Sequence, residues 1–213
     1  MLVYTAIFGP YDTLHEPAPD FPSNIDLVCF TDQPLQSDRW DVRRLPSWTD
    51  PVAGAKYHKM HPHKIFPDRS YTLWIDGNMT PRAACAKLPE LSLDADLIVY
   101  EHPHCPGWHI EGLRCVSRGK CDPEAMHRQM EHYASEDLSP VGGLYNGGFL
   151  FRWRNGATRR FNECWWEQCS KYTMRDQVSM PYAIRATQPH LIVGTLPGNI
   201  YESEYVQVWG HGG

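Results

Sequence analysis

Apolar residues fall in short blocks along the chain, punctuated by Gly, Pro, Asp and Asn, and the blocks alternate between two periods. Residues 2–8 (LVYTAIF) are apolar nearly throughout, as in a central strand buried on both faces. Residues 26–30 (DLVCF) predict a second buried strand, and residues 40–45 a third, more amphipathic one. In SYTLWIDGNM, residues 70–79, Tyr71, Leu73 and Ile75 alternate with Thr72, Trp74 and Asp76, a strand pattern ending at a glycine. Further strands are expected at 96–100 (DLIVY), in the run ending at Trp153, around 191–193 and, weakly, at 205–208.

Between these blocks the period is helical. Residues 53–66 predict a helix that Pro62 kinks or splits. Lys56, Lys59 and His63 recur at helical spacing within it and are expected on one face, either solvated or turned to phosphate. A short helix is expected at 81–87. Asp122-Pro123-Glu124 opens another, with Asp as N-cap, Pro at N1 and an acid in the first turn. Met126, Met130 and Tyr133 form its apolar stripe, read as core. Residues 157–169 form a helix with Phe161, Cys164 and Trp165 on one side, and residues 174–184 a further one with Arg175-Asp176-Gln177 near its start. Residues 101–121 look irregular. Strands alternating with helices predict an α/β fold with a mostly parallel sheet, built as one domain over residues 1–213.

Composition narrows the function. With 20 basic and 25 acidic side chains the formal net charge is −5, which lacks the electrostatic footprint of a nucleic-acid binder. Seven cysteines in no regular framework suit a reducing, cytoplasmic setting. The N-terminal apolar run is short and has no basic flank, so no signal peptide is expected. No stretch approaches the roughly 20 apolar residues of a membrane span.

Several patterns carry candidate chemistry. Asp76-Gly77-Asn78 ends a predicted central strand, and ligands of open α/β sheets bind beyond the carboxyl ends of strands. Asp-Gly is also a good turn pair. Glycines at 142, 143, 147 and 148 allow close approach of the backbone to a ligand. His102, His104, Cys105, His109, Cys115 and Cys121 crowd one stretch, but without paired Cys-x-x-Cys spacing a structural zinc is not expected.

Taken in order, AIFGPYD, CFTD, a Lys-rich helix ending in PHKIFP, LWIDGN, Gln129-Met130-x-x-Tyr133, GLYNGGFLFRWRN, FNECWWEQ and RDQVSMPY resemble the glycosyltransferase-like family once called domain of unknown function 616. That family in turn resembles the retaining, nucleotide-sugar-dependent enzymes of the glycogenin type. The resemblance spans Tyr4 to about Tyr182 and implies a GT-A-like, Rossmann-like fold. It implies transfer of a sugar from a nucleotide-sugar donor, UDP-linked by preference, to a glycan or other acceptor, with retention of configuration.

By the same resemblance, Asp76, Asn78 and His211 would hold Mn²⁺ or Mg²⁺, with Asn78 standing where those enzymes carry a second Asp. The base and ribose would lie near Ala6, Phe8, Tyr11, Asp12 and Asp32. Lys56, Lys59, His63, Asp76 and Asn78 would meet the diphosphate, and Asn146 and Gly147 the donor sugar. Asp176 and Gln177 would be catalytic, Asp176 holding sugar hydroxyls and Gln177 stabilising charge at the anomeric centre. Two other readings are a nucleotidyltransferase, which normally needs two acidic ligands, and a carbohydrate- or nucleotide-sugar-binding domain that has lost activity.

Overall fold

The computed structural model describes residues 1–91, 94–140 and 143–211. Nine strands and seven α-helices are described: β1 Leu2–Ile7, β2 Asp26–Thr31, β3 Asp41–Arg44, α1 Pro51–Met60, α2 Pro62–Ile65, β4 Tyr71–Ile75, β5 Met79–Pro81, α3 Leu88–Leu91, β6 Leu97–Glu101, α4 Trp108–Ser117, α5 Pro123–Ser135, β7 Tyr145–Trp153, α6 Gly156–Lys171, α7 Asp176–Thr187, β8 Val193–Leu196 and β9 Val206–Val208. The main sheet has the order β3-β2-β1-β4-β7-β6-β8, and β5 pairs with β9 in a small second sheet.

All neighbours in the main sheet are parallel except β7, which runs against both β4 and β6. The expected mostly parallel α/β architecture is therefore present. All six residues of β1 are buried, as the uniformly apolar run LVYTAI requires of a strand covered on both faces. One face packs Tyr4, Trp74 and Leu150 against Phe161 and Trp165 of α6 and Met180 of α7. The other packs Val3, Leu73 and Phe149 under Trp40, Leu88 and Ile200. A third cluster joins Trp108 and Cys115 of α4 to Met126 and Tyr133 of α5 and Val178 of α7.

Local signals set the helix ends. The Asp50 side chain accepts from Val52 N at 2.9 Å and Pro51 opens α1. The Asp122 cap accepts from Ala125 N at 2.7 Å, as the sequence predicts. Asn155 and Thr158 form a reciprocal capping box at α6. Pro62 splits the expected 53–66 helix into α1 and α2, so the shared face does not continue past Lys59. Pro181 is tolerated inside α7, which begins two residues later than expected. The expected helix at 81–87 is a 3₁₀ turn, Ala83–Lys87. The stretch 101–121 is not irregular throughout: α4 lies within it, anchored by buried Trp108 and Cys115. Gly142, one of the four glycines singled out above, lies outside the described residues. All seven cysteines are free thiols. Among the described residues, no helix is long and apolar enough to cross a membrane.

Candidate active site

Because β7 opposes its neighbours, its first residues lie at the same edge of the sheet as the carboxyl ends of β1, β2 and β4. Asp76 leaves β4 there, and its N–H donates to Gly148 O of β7 at 2.9 Å. Trp74 lies two residues earlier, on the same face of the strand. Its indole Nε1 donates to Asp76 Oδ1 at 2.8 Å. The tryptophan belongs to the site as well as to the core, and the i, i+2 spacing in the sequence was the available signal.

The last turn of α1 brings Lys59 to the same oxygen, with Nζ 3.2 Å from Asp76 Oδ1. The same ammonium lies 2.5 Å from Oδ2 of Asp176, the first residue of α7. Lys56, one turn earlier, reaches that oxygen at 2.7 Å. Lys59 also sits over the rings of Trp74 and Trp165, 5.7 Å from each centroid. Trp165 Nε1 donates to the Asp176 main-chain carbonyl at 2.9 Å, tying α6 to the start of α7. The lysine pair is thus not a solvated face: the Lys59 side chain is 1% exposed.

Burial and charge act oppositely on these groups. Burial would raise the Asp176 carboxyl, but the Lys56 and Lys59 ammonium groups outweigh it and hold the acid well below the usual carboxylate range. Burial would lower Lys59, but Asp176 and Asp76 together outweigh it and raise the lysine. Lys56 moves the other way. Burial pushes it down, Asp176 opposes this only in part, and the neighbouring Lys59 charge adds to the lowering. Lys59 has two carboxylates in hydrogen-bond reach and Lys56 has one, which accounts for the difference.

Glycines make this cluster possible. A Cβ on Gly147 would sit 3.1 Å from both Asp176 Oδ2 and Lys59 Nζ. A Cβ on Gly148 would sit 2.6 Å from the Met79 side chain and 3.0 Å from Asp76 Oδ2. Asn146 turns its Oδ1 back to accept from Gly148 N at 2.7 Å. Tyr4 and Arg152 support the cluster from beneath. The Arg152 guanidinium donates to the Lys59 carbonyl at 2.8 Å and to Tyr4 Oη at 2.6 Å. Neither was singled out from the sequence, although an arginine inside the apolar run FLFRW was a visible anomaly.

A second group of expected residues lies around the β1 edge. Gly9 N donates to Asp32 Oδ1 at 2.9 Å, linking the ends of β1 and β2. Ala6 and Phe8 are core residues, with Phe8 packed on His58 at 5.3 Å between ring centroids. Asp12 accepts from His211 Nδ1 at 2.8 Å, and the exposed Tyr11 ring lies 4.9 Å from the His211 ring. Asn78 Nδ2 donates to Trp209 O at 3.0 Å, and Trp209 N donates to Asn78 O at 2.9 Å. His211 is thus placed on Asp12, and Asn78 is bound to the backbone of Trp209, two residues before it. Among the described residues, no three His, Cys, Asp or Glu side chains come together as a metal site.

One further placement differs from expectation. His63 is carried away from Lys56 and Lys59 by the break at Pro62. It lies near Glu163, whose Oε1 is 3.7 Å from its Nε2, and faces a crevice by Tyr71 and Trp153 at the opposite end of β4. Gln177 is half-buried beside Asp176 in the first turn of α7. Beyond Asn146, which pairs with Tyr100, the sheet edge opens into a recess of about 510 Å³ lined by Glu101, His102, His104, Cys105 and Leu144.

This is a GT-A-type α/β fold, the fold class of the solved structures it resembles, and in this chain a lysine–carboxylate cluster stands at the carboxyl edge of the sheet. One is the apo structure of the bifunctional glycosyltransferase WbbM, with a TM-score of 0.52, 12% identity, and 83% of this chain and 34% of that one covered. Another is the apo mouse xyloside xylosyltransferase 1, with a TM-score of 0.52, 11% identity, and 92% and 84% covered. The chain belongs to the TOD1/MUCI70 glycosyltransferase-like domain family, whose model matches residues 40–196. A curated relative is "Probable hexosyltransferase MUCI70" of Arabidopsis thaliana, 23% identical over 210 residues. That alignment covers 84% of this chain and 36% of the relative, so the chain spans about a third of its length. The family and fold read from the ordered motifs are borne out.

Proposed function

We propose that the chain is a retaining glycosyltransferase that takes a hexose from a nucleotide sugar, UDP-linked by preference, and passes it to a glycan or similar hydroxyl acceptor. The observation that carries this reading is the bridge made by Lys59 between Asp76 and Asp176 at the edge of the sheet. Transfer must stabilise a departing diphosphate and a cationic anomeric carbon, so fixed charges of both signs are needed close together. Lys56 and Lys59 supply the cations for the diphosphate, and the two carboxylates hold them in place. Asp176 stays ionised, which suits accepting hydrogen bonds from sugar hydroxyls and makes it a weak base. The Gln177 side chain supports charge at the anomeric centre, and departure and attack occur on one face of the sugar.

For a hard cation such as Mn²⁺ or Mg²⁺ the residues offer Asp76 Oδ2 and Asn78 Oδ1, oxygen ligands of the right kind. When bound, such an ion would add Lewis-acid charge to the diphosphate. His211 is held by Asp12 and is not counted in that set. The recess beside Asn146 is assigned to the acceptor. The paired lysine–carboxylate cluster favours catalysis over a binding domain that has lost activity, and a single acid at the Asp76-Gly77-Asn78 turn disfavours nucleotidyl transfer.

The test is a panel of UDP-, GDP- and CDP-hexoses, with and without Mn²⁺, scored for binding and for slow hydrolysis without acceptor. Hydrolysis of a UDP-hexose, lost in Lys59→Met, is the expected result. Binding with no turnover under any condition would return the chain to the binding-domain reading.

A further inference from the structure

At the opposite end of β4 and β7 from the catalytic cluster, a crevice opens between α2 and α6. Its internal room is about 10 Å³, one water-sized sphere. Arg152 forms its floor and is 2% exposed. The guanidinium donates to Asn162 Oδ1, Tyr4 Oη and the Lys59 carbonyl, all neutral acceptors. Its Nε has no partner, and among the described residues no carboxylate lies within ion-pair distance. An arginine does not lose its proton in a protein, so this is a full buried charge without a counter-ion.

The rest of the lining adds donors. Burial pushes the His63 pKa down to about 4, so its ring is neutral. Its two buried nitrogens are not hydrogen-bonded, one of them carries a proton to donate, and Glu163 Oε1 stands 3.7 Å from Nε2. Asn162 has Oδ1 engaged by Arg152 and keeps its Nδ2 as a donor. Arg69 and Arg154 stand at the rim, Arg69 paired with Asp26 at 2.6 Å, and the lining itself contains no Asp or Glu. Orphaned donors around a small space, with an uncompensated cation beneath, are what a small anion recognises. A water would satisfy the N–H groups and leave the charge unanswered.

We infer that this crevice is a binding site for one small monovalent inorganic anion of about the size of chloride, held by Arg152 Nε, His63 and Asn162. The internal room beside Arg152 is that of one small ion. The site lies apart from the sugar-transfer cluster and is independent of the function proposed above. Arg152 joins the two, since its guanidinium also holds the Lys59 carbonyl.

The test uses bromide and chloride as probes. Crystals grown without halide are soaked in sodium bromide and measured at the bromine absorption edge. An anomalous peak within hydrogen-bond distance of Arg152 Nε is expected, and a water there with no peak would overturn the proposal. In solution, the thermal midpoint should rise saturably by roughly 3–8 °C in chloride over gluconate at equal ionic strength. Asn162→Asp, which places a counter-charge beside Arg152 without changing shape, should raise the midpoint in gluconate and abolish the chloride response. A variant with a lower midpoint in gluconate and an intact chloride response would likewise overturn the site.

Discussion

The ammonium of Lys59 lies 2.5 Å from Oδ2 of Asp176, although the two residues are 117 positions apart. One comes from the last turn of α1 and the other from the first turn of α7, and the contact passes over Gly147. It makes Asp176 an ion-paired acid and not only a helix-capping one. An exposed acid near a helix N-terminus gains about 0.3–1 kcal/mol from the dipole. Breaking a buried ion pair by removing one partner costs about 3–5 kcal/mol.

Asp176→Asn is therefore expected to show two effects together. Turnover per folded molecule should fall by roughly 10²-fold or more, the size of a lost transition-state contact, with donor affinity within a few-fold of wild type. The thermal midpoint should also fall, because Lys56 and Lys59 then face each other without their shared carboxylate. Single-turnover rates normalised to folded protein separate the two. Full activity per folded molecule would reduce Asp176 to a structural role.

Stability should follow the titration of Asp176. Its folded pKa is depressed, so its contribution is fully present above the unfolded value of about 3.9 and is lost as pH falls through the lower folded value. Urea unfolding of wild type is expected to weaken from about pH 4 downward by a step that Asp176→Asn lacks. Lys59, raised in the fold, contributes stability that is present below its unfolded pKa and is lost as pH rises through the folded one. Parallel acid limbs in the two proteins would show that the pair does not carry the charge assigned to it.

Gly147→Ala tests how closely the cluster is packed. The added methyl would stand 3.1 Å from both partners of the Lys59–Asp176 contact. One of the two must move, and an activity loss of about 10-fold or more is expected, since misplacement of about 1 Å can cost 10²-fold. Folding should be little changed, because the lysine tip is flexible. Donor affinity by calorimetry and turnover by product assay check this, and unchanged turnover would show that the cluster relaxes freely.

Asn78→Asp separates ligand chemistry from anchoring. The second carboxylate should strengthen Mn²⁺ binding, measured by the loss of the free-ion paramagnetic resonance signal. The same change removes the donor to Trp209 O and sets a carboxylate against that carbonyl. Proteolytic cleavage near Trp209 should then quicken. Stronger metal binding with unchanged cleavage would mean that the backbone bond from Trp209 N suffices as the anchor.

Gln129→Leu addresses how α7 is held. The Gln129 amide donates to Tyr133 Oη at 2.9 Å and to Ser179 Oγ at 3.1 Å, and accepts from Thr173 Oγ1 at 2.7 Å. Leaving these buried partners unsatisfied costs about 1–3 kcal/mol each where no other partner is found. The midpoint should fall by several degrees, and turnover at low temperature by much less than in Asp176→Asn. A loss of turnover matching Asp176→Asn would place the network in the chemistry itself.

The sequence by itself determined the elements and much of their order. Runs such as LVYTAI and YTLWI have a period and composition that only strands satisfy well. Asp50, Asp122 and Asn155 fix helix starts through bonds closed within three residues. The Asp76-Gly77-Asn78 turn, the Asn146-Gly147-Gly148 approach and the Asp176-Gln177 pair were legible as motifs in a familiar order. Which atoms meet was not legible, because it depends on strand order and direction. Reversal of β7 brings Gly148 to Asp76, and a single helix break at Pro62 keeps Lys59 in the cluster while sending His63 to the far crevice. The assignment of His211 to Asp12, the burial of Arg152 without a counter-ion and the meeting of Lys59 with Asp176 are long-range contacts. Local propensity carries no information about them. Packing of the helices onto the two faces of the sheet decided them.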